Sequence, residues 1–248
     1  ALPISIPPAR IRRHETGGND EQAARVHTIH LDEATTHALV HTAPAAHGAR
    51  INDLLLAALG ASLRDAGAGS SLRIDLMGHG REQIPGEDID VSRTVGWFTT
   101  LFPVALETGT GDAASMVHPI RDHLGSMPAR GLGHGLLRWM GDHLDDLDPS
   151  LISFNYLGQF DQALEPGWSL GVARTRCGPT RDPSSPRHYE LEIDVMVVGD
   201  RMVIDLTYGG NLHDAAAIAD LAESYRRGLA SLAAAPPATE RSEEHTSE

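Results

Sequence analysis

Apolar residues recur along this chain in two rhythms, and each rhythm predicts an element. Leu191, Ile193, Val195 and Val197 alternate with other residues, as do Met202, Ile204, Leu206 and Tyr208. A period of two places each set on one face of a strand. Gly199-Asp200 between the two runs predicts a two-residue hairpin turn. Ile51, Leu54, Leu55, Ala58, Leu59 and Leu63 instead follow the helical period and mark one face of an amphipathic helix. The same period predicts a last helix over 214–234, with Ile218, Leu221, Ala222, Tyr225, Leu229 and Leu232 in phase.

Weaker patterns fill the rest. Residues 25–31 read as a strand, and 32–42 as a short helix with Asp32 near its N-cap. Residues 71–77 read as a strand running into Gly78-His79-Gly80. The apolar, aromatic run 94–106 reads as a strand broken at Pro103. Residues 112–127 predict a helix, although Pro119 counts against its continuity. The stretch 128–135 is glycine-rich, a short helix follows at 136–143, and 151–157 predicts a strand ending at Gly158. Strands and helices are interspersed with no repeat, which indicates an α/β layered fold with a mixed sheet and flanking helices.

Composition narrows the functions available. The chain has 248 residues, 41% hydrophobic and 22% charged, enough to bury a sizeable core and unlike a disordered sequence. It holds no apolar run of the length that spans a bilayer. The formal charge is −14, which argues against nucleic acid and against an anionic membrane surface as partners. Every basic residue is arginine, so a lysine Schiff base or a Walker lysine is impossible. The single cysteine, Cys177, excludes a disulfide framework and a cysteine-rich zinc site, and a lone loop thiol of this kind is expected to be inert. His27 and His30 should face opposite sides of a strand, and the five-residue step from His118 to His123 suits no shared site, so no metal is expected.

The two ends differ from the middle. Residues 1–24 carry Pro3, Pro7 and Pro8 and a polar stretch, and read as a linker or inter-lobe segment. Pro236-Pro237 stop the last helix, and 236–248 reads as a tail, non-native or disordered. The expectation is a fragment of a longer protein.

Three segments have unusual chemistry. Gly78-His79-Gly80-Arg81-Glu82 ends a strand, with glycines suited to a tight path and an arginine able to pair with a carboxylate. Residues 92–98 (SRTVGWF) place Gly96 in an aromatic run. In residues 154–160 (FNYLGQF), Asn155 and Tyr156 must face opposite sides of a strand. Each alone has a plain structural explanation.

Together with residues 128–135 (PARGLGHG), and in this order, the segments resemble the epimerization domains of non-ribosomal peptide synthetases. The resemblance spans about residues 24–235 and assigns 25–235 to the C-terminal lobe of such a domain. It implies a fold like that of chloramphenicol acetyltransferase, in which two α/β lobes form a V around a tunnel. It implies an amino-acid or peptidyl thioester epimerase: L and D configurations interconvert at the α-carbon of a thioester held by a peptidyl carrier protein. No cofactor is then bound directly, since 4'-phosphopantetheine arrives on the carrier. The implied partners are that carrier, an N-terminal lobe bearing an HHxxxD motif, and neighbouring synthetase modules. The implied location is cytoplasmic.

The resemblance also implies site residues. The family's glutamate just before GHGRE is here Met77, which cannot carry a proton. Asn155 and Tyr156 match positions near the active site, suited to orienting the thioester or binding an enolate oxygen. His79, Arg81 and Trp97 are implied on the substrate side: His79 and Arg81 hold the loop, and Trp97 and Phe98 wall the tunnel or fill the core. The hairpin and last helix are scaffold. Asp75 shares the face of Met77 and is a substitute only if its shorter side chain reaches the thioester. Glu82 is expected to pair with an arginine. No HHxxxD occurs in the chain, so this lobe alone is expected to be inactive. Two alternatives stay open: a degenerate domain that only docks a carrier, which Met77 favours, and an amide-forming condensation domain, which GHGRE and RTVGWFT disfavour.

Overall fold

The computed structural model describes residue 11 and residues 17–83, 87–141, 149–159, 178 and 181–234. After a 3-10 turn at Glu21–Ala23 come strand β1 (Ala24–His30) and helix α1 (Glu33–His37). A π turn at Ala38–Thr42 links α1 to α2 (Ala43–Ala46). Then follow α3 (Ile51–Asp65), β2 (Ser71–Gly78), β3 (Thr100–Glu107), α4 (Ala113–Gly125) and α5 (Leu132–Trp139). The chain continues with β4 (Ile152–Gln159), β5 (Leu191–Val198), β6 (Arg201–Gly209) and α6 (Ala215–Ala233). The six strands form one sheet in the order β1-β6-β5-β4-β2-β3. The central strands β2, β4 and β5 are parallel to one another, and the remaining neighbours pair antiparallel.

The two rhythms of the sequence meet in the core. Leu72, Ile74, Phe154, Ile193, Val195, Ile204 and Leu206 point to the same side of the sheet, onto Leu54, Leu55 and Leu59 of α3 and Ile218, Tyr225 and Leu229 of α6. Each fully buried leucine or isoleucine contributes about 1.5–3 kcal/mol of transfer free energy. Gly228 lets α6 lie close on α3: an added Cβ would sit 3.3 Å from the Ala58 Cβ. Asp32, Asp112 and Asp214 cap α1, α4 and α6, each accepting a backbone N–H two or three residues on.

Several sequence expectations need correction. The strand expected over 94–106 begins only at Thr100, and Val95 and Trp97 before it are 100% and 91% exposed. Pro103 does not break it, because β3 is an edge strand whose missing donor costs no ladder bond. Pro119 lies inside α4 on its exposed side, where water can serve the carbonyl it leaves unpaired. The helix expected at 136–143 starts at Leu132, because Gly131, at φ +81°, turns the chain directly into it. Residues 1–10, 142–148, Phe160, Asp161, Cys177 and the 236–248 tail lie outside the described residues. Within 17–24 the chain is stitched to the body: Glu21 and Gln22 donate to the carbonyls of Ser185 and Pro183, and the Asn19 amide donates to Tyr189 O. Among the described residues, no helix is long and apolar enough to cross a membrane.

Candidate active site

The site grows from the second face of the sheet, away from the leucine core. Across the parallel β2/β4 pair, Asp75 registers with Ser153 and Leu76 with Phe154. Met77 and Asn155 are the next residues on their strands and lie on the face of Asp75 and Ser153. Asn155 pairs with Asp194, Asp194 with Asp205, and Asp205 with Thr28, while Met77 pairs with Leu101. Directly neighbouring residues on paired strands point to one side. A row of paired residues therefore crosses four strands, Asn155, Asp194, Asp205 and Thr28, and the pair Met77 and Leu101 shares its face on the other two.

Hydrogen bonds tie its polar half together. The Asn155 Nδ2 donates to Asp194 Oδ1 at 3.1 Å, and the Thr28 hydroxyl donates to Asp205 Oδ1 at 2.6 Å. Burial pushes the Asp194 carboxyl above the ordinary aspartate range. The Asn155 amide pulls it down, the charges of Glu192 and Asp205 push it up, and Arg181 pulls it down. Two carboxylates opposite each other on paired strands repel, so this arrangement favours holding a proton.

Asp75 lies two residues before Met77 on the same face, and it is locked. The Ser150 hydroxyl donates to its Oδ1 at 2.5 Å and the Tyr189 hydroxyl to its Oδ2 at 2.9 Å. Both oxygens are engaged. The carboxylate in turn holds the Tyr189 hydroxyl in its protonated form, with burial the larger cause. His134, from the glycine-rich block, feels this carboxylate, but burial and the charge of Arg138 hold its imidazole below the usual histidine range.

The rim is built by the GHGRE segment. Arg81 donates to the carbonyls of Val91 and, at 2.9 Å, Thr94, and its guanidinium lies 4.4 Å from the Phe98 ring centre. Arg81 thus clasps the following block rather than a carboxylate. Gly80, at φ +66°, passes so close that a Cβ would lie 1.6 Å from Phe98 O. His79 Nδ1 accepts the Arg81 backbone N–H at 3.0 Å, which leaves its Nε2 facing Glu82 at 3.2 Å. Arg130 completes the Glu82 pairing at 3.4 Å, so the expected arginine partner comes from the glycine-rich block. Trp97 does not fill the core of this lobe; it projects outward on the clasped loop.

A cavity of about 710 Å³ opens at the carboxyl ends of β2 and β4, lined by Met77, His79, Glu82, Phe102, Arg130 and Tyr156. Carboxyl ends of parallel strands are the customary ligand position in open α/β sheets. Tyr156 enters it from the core side, and burial pushes its phenol pKa up, so it stays a donor at neutral pH. A second cavity of about 720 Å³ shares Val40 with the first and holds His37, His41 and Asp200. Among the described residues, no group of three or more His, Cys, Asp or Glu is placed to hold a metal.

The structure brings Met77, Asn155 and Tyr156 to one end of the sheet, on two faces, with His79 beside them; Arg81 and Trp97 belong to the loop above. Sequence reasoning missed Asp194 and Asp205. Their one signal was acidic residues at the outward positions of two otherwise apolar strands.

A mixed six-stranded sheet of this topology, with its functional groups at the carboxyl ends of parallel strands, defines an α/β fold of the chloramphenicol-acetyltransferase kind. The condensation-domain family profile matches residues 3–248, and the chain belongs to that family. It is 34% identical over 239 residues to one of the linear gramicidin synthase polypeptides of Brevibacillus parabrevis, covering 93% of this chain and 5% of that one. It is 35% identical over 227 residues to chondramide synthase cmdD from Chondromyces crocatus, covering 89% of this chain and 6% of that one. Among solved structures, the epimerization domain from the third module of tyrocidine synthetase B superposes with a TM-score of 0.82 at 29% identity. That match covers 93% of this chain and 52% of the other. The X-domain from teicoplanin biosynthesis shares the fold, with a TM-score of 0.61 at 21% identity. The chain spans about half of the solved epimerization domain and about a twentieth of the synthases it matches.

Proposed function

We propose that this chain is the C-terminal lobe of an epimerization domain, and that the intact domain interconverts L and D configuration in a carrier-bound aminoacyl or peptidyl thioester. The observation that carries the reading is the physical interlock of its sequence blocks. Arg81 of GHGRE clasps the loop of TVGWF, Glu82 pairs with Arg130 of the glycine-rich block, and Met77 lines one cavity with Tyr156 of FNYLGQ. Four blocks separated in sequence build one rim around one cavity.

The reaction breaks the α-C–H bond, transfers that proton to a base, and returns a proton to the opposite face of the α-carbon. No electrons are gained or lost overall, and neither a metal nor a redox cofactor is required. A thioester acidifies the α-proton, but the enolate still needs hydrogen-bond donors. Tyr156 supplies a protonated phenol to the cavity at the end of β4, while Asn155 faces the other side of the sheet with its amide given to Asp194. The phosphopantetheine arm of a peptidyl carrier protein delivers the thioester, and the other proton carrier comes from the companion N-terminal lobe.

The test uses the intact domain and a carrier loaded with the L-aminoacyl thioester. After incubation the thioester is hydrolysed and the product resolved by chiral chromatography. The expected result is a mixture of L and D. Unchanged L with amide formation when an acceptor is supplied would instead make it a condensation domain. Unchanged L without amide, but with measurable carrier binding, would favour a docking module, the reading to which Met77 lends weight.

A further inference from the structure

The cavity at the ends of β2 and β4 shares its wall with the second cavity of about 720 Å³. Val40, in the π turn after α1, borders both. The end of β4 joins them again: Tyr156, Leu157 and Gly158 line the first cavity, and Gln159 lines the second. Between Tyr156 and Gln159 the pairing with β5 shifts, because three residue steps of β4 run against the two from Val195 to Val197. An extra residue of this kind re-aims a strand end, and Gly158, at φ +74°, takes a left-handed backbone there.

The second cavity lies at the carboxyl ends of β4 and β5, which are parallel, the customary ligand side of an open α/β sheet. His37 and His41 border it from α1 and the π turn, and Asp200 borders it from the hairpin turn. The two imidazoles are exposed, with ring centres 4.7 Å apart. Among the described residues, no hydrogen bond takes up either ring. Imidazole N–H groups can donate to peptide carbonyls, and the carboxylates of Glu33 and Asp200 on the same wall can accept from peptide N–H groups.

We infer that the second cavity is the subsite for the upstream residues of a peptidyl thioester, so that the preferred substrate is peptidyl rather than aminoacyl. The inference rests on the epimerase reading above. An epimerase holds one substrate and needs no acceptor, so room that continues beyond the reacting residue serves the rest of the same molecule. The reacting residue occupies the first cavity beside Tyr156. The upstream peptide passes Val40 and the end of β4, and its amide groups meet the imidazoles and carboxylates beyond. Binding energy from these remote residues is then available to hold the α-carbon in place, which makes the longer substrate the faster one.

The experiment gives the intact domain two carrier-bound substrates, an L-aminoacyl thioester and a tetrapeptidyl thioester ending in the same L-residue. Initial epimerisation rates are measured by chiral analysis for wild type, A34W and H37A/H41A. Ala34 is exposed and borders the second cavity but not the first, so an indole there fills the subsite from the surface. The double alanine variant removes the imidazoles without adding bulk, and an unchanged circular-dichroism spectrum checks the fold of each. In wild type, kcat/KM should be about 10-fold or more higher for the peptidyl substrate. That ratio should fall toward one in A34W and in the same direction in H37A/H41A. Equal kcat/KM for the two substrates in wild type would overturn the inference and leave the epimerase reading standing. So would an equal loss on both substrates in the variants, which would place the phosphopantetheine arm, common to both, in the second cavity. A ratio that stays high in folded A34W, or in H37A/H41A if A34W does not fold, would place the peptide elsewhere and also overturn it. No epimerisation of either thioester by wild type would sink the epimerase reading, and this assignment with it.

Discussion

The two faces of the sheet use the same strands for opposite ends. Toward α3 and α6, each strand presents Leu, Ile, Val or Phe in a dry core. Toward the other side, alternate positions include Asp75, Asn155, Asp194 and Asp205, bonded to one another or to Ser150, Tyr189 and Thr28. The first face is stabilised by area, which tolerates imprecise partners. The second face is stabilised by particular partners, and leaving one unpaired costs more than the bond is worth. Apolar packing resides on one side of the pleat, and the paired polar groups lie on the other.

Four substitutions sharpen that contrast, in falling order of effect on stability. Leu59→Ala on the core face should cost about 2–5 kcal/mol, read as a lower urea midpoint for the intact domain; a change under about 1 kcal/mol would show that α3 is not packed as described. Asp75→Ala on the polar face strands two hydroxyls and should cost about 1–3 kcal/mol, and a neutral result would mean that Ser150 and Tyr189 find other partners. Gly80→Ala should cost about 1–2 kcal/mol for its left-handed backbone alone. The collision with Phe98 O should also free the Arg81-clasped loop, visible as faster proteolysis between residues 87 and 99. Unchanged cleavage there would contradict the clasp.

Asp194→Asn should act in the opposite direction. A carboxyl whose folded pKa is raised contributes stability below its unfolded pKa and loses it as pH rises through the folded value. At neutral pH the ionised Asp194 is a net cost, so D194N should raise the melting temperature by a small margin. The gain should fade as pH drops below the ordinary aspartate range. A D194N domain less stable than wild type at pH 7 would contradict the raised carboxyl.

Much of this was legible in the sequence, and the reason is periodicity. The alternation at Leu191–Val197 and the helical spacing from Ile51 to Leu63 state which side chains are buried, because burial on one side is all those patterns require. Ordered motifs likewise brought Met77, Asn155, Tyr156 and His79 to one end of the sheet. Two things were not legible. The apolar run at 94–99 looks like a strand because composition does not reveal that Arg81 holds its backbone in a loop with Val95 and Trp97 outward. Asp194 went unnoticed because its meaning lies across strands. Its neighbours Asn155 and Asp205 are 39 residues before it and 11 after, and only the register places them side by side.

The central claim is the proposal that the intact domain performs α-proton chemistry, and isotope exchange by the unmodified intact domain tests it most directly. An L-thioester on its carrier, incubated in D₂O, should return as a mixture of L and D thioesters carrying α-deuterium. Recovery of the thioester as pure L without deuterium, under conditions where the carrier binds, would contradict it.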